Sequence, residues 1–387
     1  MKMKKTITIS IIALLIMAGC GGGKQSTDDL ITVDVTKSYP KKELILQYLM
    51  DVEYIALETT DEFVCQGVVG AVGKDIMLVR NRINDGDLFI FDRKGKGLRK
   101  FNRKGQGPRE YLSLDRLILD EDVGEIYINE IAYRVQVYDL QGNFLRTIPN
   151  DERWGSVLNF NKECLIVRGF KDFISNTQTD NQRFLLISKQ DGHIVKEFRI
   201  NFKQSIPTGI TNRAGNAGAA PRTIPIIPYR NNRLITDPSS DTVFQISQDY
   251  KMTPFLARTP PILTMNPGII LSPCLFTSRY YFMETVKMEY DLTRDEGFPM
   301  TYLAYDKLDN TLFEYEVYND DFLEKKLFNF SWQVTTNDEI AYMQTLESYQ
   351  LVEAFKKGLL KGKLKEIAAT LDEEDNPVIM IVKHKKI

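Results

Sequence analysis

Short apolar strands recur along the chain, and each ends in Asp or Ser before a turn that carries Gly, Asp or Asn. The clearest copy runs from Leu88 to Asp92 before Arg93-Lys94-Gly95, and the next runs from Val135 to Asp139 before Leu140-Gln141-Gly142. The residues that end these strands are spaced 47, 49, 59 and 59 positions apart, namely Asp92, Asp139, Ser188, Ser247 and Asp306. Strand and turn units that repeat at roughly 40 to 50 residues are typical of β-propeller blades.

Each unit divides into four strands, which we label A to D from the centre of the ring outward. In the second unit they are predicted at 117–119, 125–128, 134–138 and 144–148, separated by turns rich in Asp, Gly and Asn. Five units of this kind follow one another. A sixth blade is predicted from both ends of the chain, with strands at Val52–Leu57 and Pro377–Val382. Pairing these two strands would close the ring and remove exposed sheet edges.

The segment from Thr345 to Leu371 interrupts the β pattern, because its apolar residues recur at spacings of three and four. It predicts an amphipathic helix or a helix pair, weakened at Gly358 and Gly362. We expect its apolar stripe to pack on the ring, and a helix that binds a membrane surface or a partner is the alternative. The sequence therefore predicts an all-β fold, a single six-bladed β-propeller with a short helical insertion at about 345–371.

Residues 1–19 have the pattern of a signal peptide, since lysines precede an apolar stretch of only about a dozen residues. The segment ends in Ala18-Gly19-Cys20, which resembles the lipobox of bacterial lipoproteins, and a plain secretion signal with an incidental cysteine is the alternative. An acylated Cys20 would anchor the protein to a membrane. We expect a flexible tether over 20–45, the propeller over 46–387, and an envelope location on the outer membrane, facing the periplasm or the cell surface.

A formal net charge of −2 gives no reason to expect nucleic acid as a partner. Apart from Cys20, the cysteines are Cys65, Cys164 and Cys274, and no C-x-x-C pair is present. Their number and spacing support neither a zinc site nor a thioredoxin-type motif. Buried free thiols are expected, and one disulfide among the three is the alternative in an oxidising compartment.

The loop Gly105-Gln106-Gly107-Pro108 resembles the loops of NHL-type propellers, although Arg109 stands where those loops carry Gly. This loop, the lipobox, the strand Tyr54–Thr59 and the ending Asn376–Ile379 together resemble the six-bladed β-propeller lipoproteins of Bacteroides-type bacteria. The resemblance implies the propeller fold and the lipid anchor. It implies for function only an accessory role in nutrient capture or envelope assembly, because one fold supports many functions.

Loop lengths predict two unlike faces of the ring. The A–B and C–D turns of a four-stranded blade share one face, and the B–C and D–A links share the other. All five C–D turns are short, whereas the long links, at 168–181, 201–225, 257–273, 284–299 and 319–330, all fall on the opposite face. Long loops in a compact fold are often functional. We therefore expect a ligand or partner on this long-loop face.

Basic residues on the long-loop face suggest an anionic ligand, because guanidinium groups pair well with carboxylates. Tyr111 and Trp154 are aromatic residues able to stack on sugar rings. The basic candidates are Arg103, Lys104, Arg109, Arg134, Arg168, Lys171, Arg213 and Arg222. An acidic glycan, an acidic peptide or an envelope protein is the expected partner.

Candidate catalytic groups are few. His193 lies in a short turn and His384 in the basic tail, so neither suits a central metal or a general base. Asp237, Asp241 and Glu284 could hold Ca²⁺ in the channel, but 237–241 is equally well explained as a turn. The sequence therefore favours a non-catalytic binding or scaffold propeller without a cofactor. The alternative is a hydrolase or lyase that uses carboxylates and a divalent cation.

Overall fold

The computed structural model describes residues 30–130, 134–150, 154–169, 181–207, 209–211, 218–291, 297–330 and 338–385. These residues form a six-bladed β-propeller, as the repeat pattern predicts. The chain first passes along the outside of the ring, and its first elements are β1 (Ile31–Asp34), β2 (Lys41–Ile45), α1 (Leu46–Leu49) and β3 (Asp51–Ala56).

Blades 1 to 3 are four-stranded antiparallel sheets whose strands follow one another in chain order. Blade 1 contains β4 (Val68–Val72), β5 (Ile76–Arg80), β6 (Asp87–Asp92) and β7 (Gly97–Asn102). Blade 2 contains β8 (Arg116–Asp120), β9 (Glu125–Glu130), β10 (Arg134–Asp139) and β11 (Phe144–Pro149). Blade 3 contains β12 (Trp154–Asn159), β13 (Cys164–Gly169), β14 (Asn181–Ser188) and β15 (Ile194–Asn201). Contacts between β4, β8 and β12 place the A strands at the centre.

Blades 4 and 5 have the same plan, preceded by the short pair β16 (Ile210–Thr211) and β17 (Gly218–Ala219). Blade 4 contains β18 (Ile226–Tyr229), β19 (Asn232–Ile235), β20 (Thr242–Ile246) and β21 (Met252–Thr259). A 3₁₀ turn at Ile262–Thr264 leads to blade 5, which contains β22 (Ile269–Phe276), β23 (Tyr280–Lys287), β24 (Met300–Asp306) and β25 (Thr311–Tyr318). The short β26 (Leu327–Phe328) returns against β25.

The predicted flexible tether over 20–45 is too long. β1 pairs in parallel with β21, and β2 pairs in parallel with β25, so residues 31–34 and 41–45 cover the outer edges of blades 4 and 5. Val33 is fully buried in this arrangement. Covering an open edge satisfies its backbone N–H and C=O groups, which favours strand over tether. Cys20 lies outside the described residues.

Blade 6 combines both ends of the chain, as predicted. Its described strands are β27 (Ile340–Leu346), β28 (Val378–Lys383) and β3, and β28 pairs antiparallel with β3 along its whole length. The outer strand of one blade ends against the glycine of the next blade's C–D turn. A Cβ at Gly95 would lie 2.0 Å from the carbonyl oxygen of Ala56, and one at Gly142 would lie 2.7 Å from the Phe101 ring. Both glycines also have positive φ, so the recurring turn glycine is required for blade packing.

The predicted helix pair is present between β27 and β28, as α2 (Ser348–Lys356) and α3 (Gly362–Ala368). Gly358 and Gly362 have φ of +69° and +58°, which ends one helix and starts the next. The pair packs on the D–A link of blade 5, where the Leu323 N–H donates to Leu359 O and the Lys361 N–H to Asp321 O, both at 2.9 Å. Within the described ranges, no helix is long and apolar enough to cross a membrane.

The three described cysteines, Cys65, Cys164 and Cys274, are buried free thiols, as expected. The alternative of a disulfide among them is wrong. Burial raises the pKa of the Cys65 thiol to about 11 and that of Cys274 well above its usual value. They pack as small apolar side chains and are poor nucleophiles.

Candidate functional site

The structure has the two unlike faces that the loop lengths predict. The C–D turns are short in all five complete blades, at 93–96, 140–143, 189–193, 247–251 and 307–310. The described parts of the long links, at 202–207, 220–225, 260–268, 288–291, 297–299 and 319–326, lie at the opposite ends of the strands. The helix pair belongs to the same long-loop face, since Thr345 donates to Gly67 O and Glu347 pairs with Arg82 in the B–C link of blade 1. The long links and the helix pair therefore lie on the same face of the ring.

Charged groups on the short-turn face join neighbouring blades. The Lys189 ammonium of blade 3, which is 3% exposed, lies 2.5 Å from an Asp120 carboxylate oxygen of blade 2 and donates to Asn161 O at 2.7 Å. The Arg233 guanidinium of blade 4 donates to Asn159 O of blade 3 at 2.9 and 2.7 Å. Buried charges need such partners. These side chains are therefore used in holding the ring together.

A carboxylate plays the same role between blades 1 and 2. Glu121, in the A–B turn of blade 2, accepts the backbone N–H groups of Asp75 and Ile76 in blade 1, each at 2.9 Å. Arg233 also pairs with Asp338, which precedes the first described strand of blade 6, at 3.4 Å. Blade-to-blade polar contacts thus recur around the short-turn face.

Five of the predicted ligand residues come together around the loop 103–111, on the outer flank between blades 1 and 2. Arg103 donates to Gly142 O at 3.1 Å, Lys104 donates to Asn84 O, and Arg109 lies 6.0 Å from the Phe144 ring centre. The contacts of Arg103 and Lys104 tie the loop to the blades. A basic run in the sequence therefore corresponds here to a connecting segment with most of its donors in use.

Tyr111 and Arg134 complete this group. Tyr111 is fully buried, and its hydroxyl donates to Gly86 O at 2.6 Å while accepting the Arg103 N–H at 2.9 Å. Burial raises the pKa of Tyr111 to about 12. Arg134 bridges the buried Glu130 carboxylate and Glu110 O, both at 2.8 Å. The Tyr111 ring is not available for stacking on a sugar.

The other candidates lie elsewhere. Arg168 points between blades 3 and 4, with Asp237 at 3.4 Å, and Arg213 lies outside the described residues. Asp237 also accepts the Ser239 N–H at 2.9 Å in the predicted turn. Asp241 pairs with Arg258 at 2.7 Å, and Glu284 is buried in blade 5 near Cys274. Across the described ranges, no group of three His, Cys, Asp or Glu side chains could hold a metal ion.

Strand register defines a ring of polar residues at the long-loop ends of the B strands. In blades 1, 2, 3 and 5, the first residue of strand B pairs with the Asp or Ser that ends strand C. In blade 4 the register is the same, because Arg233 pairs with Ile246 and the residue before it, Asn232, is thus the one aligned with Ser247. The fifth position counted from it is always polar, and we call this set the fifth-position ring: Arg80, Asn129, Arg168, Thr236 and Glu284. On each B strand, this residue lies on the same side as the core residues that pack against the next blade. The ring places two guanidinium groups and one amide on blades 1 to 3.

Two further arginines extend this positive region toward the centre. Arg116 starts the innermost strand of blade 2 and lies directly across from Asn129. Burial lowers the pKa of the Arg116 guanidinium, and the neighbouring Arg222 charge lowers it further. Burial raises the pKa of Tyr342 in blade 6, and Arg222 opposes that rise. Arg222 lies in the link that leads into β18, the innermost strand of blade 4, and its charge also acts on residues of blades 2 and 6. We call Arg80, Arg116, Asn129, Arg168 and Arg222 the channel mouth.

Sequence reasoning named Arg168 and Arg222 but missed Arg80, Arg116 and Asn129. A signal was present, because strand B ends in Val79-Arg80 in blade 1 and in Val167-Arg168 in blade 3. Counting from the marker residues aligns Asn129 with both arginines. The register of the repeats, more than the density of basic residues, locates the mouth.

A family model matches residues 30–257, which is more than half of the chain, and its description is a domain of unknown function, DUF4934. The chain belongs to the DUF4934 family. In this DUF4934 protein the matched region covers blades 1 to 3, most of blade 4 and the strands β1 to β3. It therefore includes every residue of the channel mouth. A comparison with curated proteins finds no match.

A solved structure confirms the fold of the DUF4934 protein. A protein from Bacteroides fragilis NCTC 9343, described as a candidate exported protein, superposes with a TM-score of 0.63 at 17% identity, covering 92% of this chain and 100% of the other. A virginiamycin B lyase from Staphylococcus aureus gives 0.34 at 11% identity, covering 69% of this chain and 88% of the other. The first likeness shows a shared fold only, and the second is too low to carry any argument.

Proposed function

We propose that this protein is an envelope-anchored, non-catalytic binding propeller that holds an acidic ligand at the channel mouth on the long-loop face. The observation that carries the proposal is the contrast between the two faces. Lys189 and Arg233 on the short-turn face are fully engaged between blades, whereas Arg80, Arg116 and Arg168 gather at the opposite end. Positive charge concentrated in a concave, low-dielectric opening attracts and orients anions.

The balance of charge at the mouth supports an anionic ligand. Asp115 acts electrostatically on Arg80 and Arg116, and Asp237 pairs with Arg168. Two carboxylates against the three guanidinium groups of Arg80, Arg116 and Arg168 leave an excess of positive charge. Guanidinium donors form strong, directional hydrogen bonds with carboxylates. The ligand we propose is an acidic glycan.

Binding without catalysis fits the chemistry of this region. Arginine remains protonated near neutral pH and serves poorly as a general acid or base. The mouth residues are otherwise a neutral amide, and no three described metal-ligand side chains cluster anywhere in the ring. The proposal therefore assigns recognition, and no reaction, to the long-loop face.

Arg80→Gln combined with Arg222→Gln is expected to weaken binding of polygalacturonate fragments by about 100-fold. Each lost charge-assisted hydrogen bond costs about 1.5 kcal/mol, which is about tenfold in affinity. Isothermal titration calorimetry with the 30–387 protein measures the change. A neutral dextran of the same length is expected to give no heat of binding.

The matched control for this pair is Lys94→Gln combined with Lys96→Gln, which removes two exposed charges from the short-turn face. Its affinity is expected to stay within about twofold of the parent, since exposed charges contribute little. Lys104→Gln combined with Arg109→Gln, which we call the flank variant, changes the loop 103–111 that the sequence suggests as the binding site. If this flank variant loses binding and the mouth variant does not, the proposed location is wrong.

Cys20→Ser is expected to abolish lipid attachment when the full chain is expressed in a Gram-negative host. Acylation needs the cysteine thiol, and several acyl chains are what make anchoring stable. The readouts are incorporation of radiolabelled palmitate and the share of protein in the membrane fraction. Ser10→Ala, upstream in the same leader, is the control. Equal labelling of the Cys20→Ser protein would contradict the anchor.

A further inference from the structure

The gap between blades 2 and 3 contains buried polar groups with no partner. Asn129 is 0% exposed, yet neither its Oδ1 nor its Nδ2 has a hydrogen-bond partner. The indole Nε1 of Trp154, a residue 3% exposed, also lacks one. Native proteins pair nearly all buried polar groups, because an unmade hydrogen bond leaves the full desolvation cost. Two such side chains in one gap call for an explanation.

The register shows that these groups share one location. Asn129 lies on the same side of β9 as Tyr127, which packs in the core between blades 2 and 3. Trp154 belongs to that same core and starts the innermost strand of blade 3. Both therefore lie at the long-loop end of one gap. No blade other than blade 2 places an arginine opposite the fifth B-strand position among the described pairs.

That arginine supplies the charge of the gap. Arg116 is across from Asn129 on the neighbouring strand and lies on the same side as Ile118, in the core between blades 2 and 3. Among the described residues, its guanidinium has neither a hydrogen bond nor an ion pair. The gap thus holds one guanidinium, one amide and one indole N–H. All three can donate, and only the amide can also accept.

We infer that the gap between blades 2 and 3, lined by Arg116, Asn129 and Trp154, receives the carboxylate and an adjacent hydroxyl of a uronic acid residue at the end of an acidic glycan. This inference rests on the proposed function and specifies its site. A single guanidinium matches one carboxylate in a fork. The amide and the indole N–H match neutral oxygens beside it. A binding site built to hydrogen-bond its ligand leaves polar groups unpaired when it is empty.

The inference predicts that replacing Asn129 weakens ligand binding without lowering stability. If the amide serves the ligand, Asn129→Leu removes a buried unpaired group and fills the same space with an apolar side chain. The melting temperature is then expected to stay equal or to rise, while affinity for trigalacturonate falls at least tenfold. A residue kept for stability would show the opposite pattern, since its loss would lower the melting temperature.

Two variants complete the experiment. Trp154→Phe keeps the aromatic bulk but removes the N–H, and it is expected to weaken trigalacturonate binding about fivefold. Arg116→Gln is expected to weaken it at least tenfold, and Arg99→Gln, an exposed arginine on the outer strand of blade 1, serves as the matched control with unchanged affinity. Maltotriose, which lacks carboxylates, is expected not to bind.

The outcomes separate the two proposals. If trigalacturonate binds, the mouth variant Arg80→Gln with Arg222→Gln weakens it, and the three gap variants leave it unchanged, then the gap is not the subsite while the proposed function stands. If trigalacturonate and polygalacturonate both fail to bind the parent protein, both proposals are wrong. If an acetylated tri-glutamate peptide binds more tightly than trigalacturonate and depends on Arg116, the ligand is a peptide and the glycan assignment is overturned.

Discussion

Lys189→Leu is expected to lower the free energy of unfolding by about 3–5 kcal/mol. The ammonium is buried, lies 2.5 Å from Asp120 and connects blade 3 to blade 2. Its removal leaves a buried carboxylate without a counter-charge. Guanidinium-induced unfolding, followed by tryptophan fluorescence, measures the loss.

The rescue variant distinguishes pairing from packing. Asp120→Leu added to Lys189→Leu is expected to recover most of the stability, because a buried ion pair can be replaced by apolar residues at little cost. Lys251→Leu removes an exposed lysine that pairs with Asp249 and is expected to change stability by less than about 0.5 kcal/mol. A loss below about 1 kcal/mol for Lys189→Leu would show that the pair does not hold the two blades together.

Asn376→Leu is expected to destabilise the protein by about 3 kcal/mol and to loosen the closure of the ring. The Asn376 side chain is 3% exposed, accepts the Cys65 N–H at 2.8 Å and donates to Glu58 O at 2.7 Å and to Phe63 O. It thereby fixes the link between blade 6 and blade 1. Each orphaned backbone group costs about 1 kcal/mol or more.

Hydrogen exchange locates the effect of this substitution. The amide of Cys65 and those of the β3–β28 pair are expected to lose protection, while the amides of blade 3 keep theirs. Asn143→Leu, in the exposed C–D turn of blade 2, provides a matched change at a site whose side chain, among the described residues, bonds to Asp139 of the same turn. Equal loss of protection in blades 3 and 6 would mean that closure is not locally controlled by Asn376.

The fold was predictable because the interactions that shape each blade repeat along the sequence. Markers such as Asp92 and Asp139 end each C strand and accept the N–H groups of their own turns, so their spacing follows the blades. Gly95 and Gly142 recur because the preceding blade's outer strand presses on them. The repeated Asp and Gly positions are therefore visible in a single sequence, without comparison with homologues.

The parts that escaped prediction depend on contacts between distant segments. Residues 31–34 and 41–45 look like a polar linker, and only the open edges of blades 4 and 5 make them strands. The basic run at 103–109 indicated a ligand site, but a run of charges does not show where each side chain points. The Arg103 guanidinium donates to Gly142 O in the next blade, and the sequence alone does not reveal this contact.

The channel mouth lies between these cases. Arg80, Asn129 and Arg168 stand at equivalent positions of successive repeats, so the repeat register contains the information. Read along the chain, each is only a polar residue at the end of an apolar strand. Their common location emerges when blades are aligned by their marker residues. Repeat alignment is therefore the step that turns scattered polar residues into a candidate site.

Unpaired polar groups at the mouth imply a cost to stability that a ligand would offset. A ligand that binds only the folded protein stabilises it by mass action, by about 2.7 kcal/mol at a concentration 100 times Kd. Trigalacturonate is thus expected to raise the melting temperature of the parent protein. At that concentration, Trp154→Phe, with its fivefold weaker affinity, is expected to lose about a third of this stabilisation, and Arg116→Gln, with at least tenfold weaker affinity, about half of it or more.

The most direct measurement is a crystal structure of the 30–387 protein soaked with trigalacturonate. We expect difference density on the long-loop face, with one carboxylate within hydrogen-bond distance of the Arg116 guanidinium and an oxygen near Trp154 Nε1. Density on the short-turn face, or along Arg103 to Tyr111 on the outer flank, would contradict it. So would a crystal that takes up no ligand at concentrations well above the Kd measured in solution.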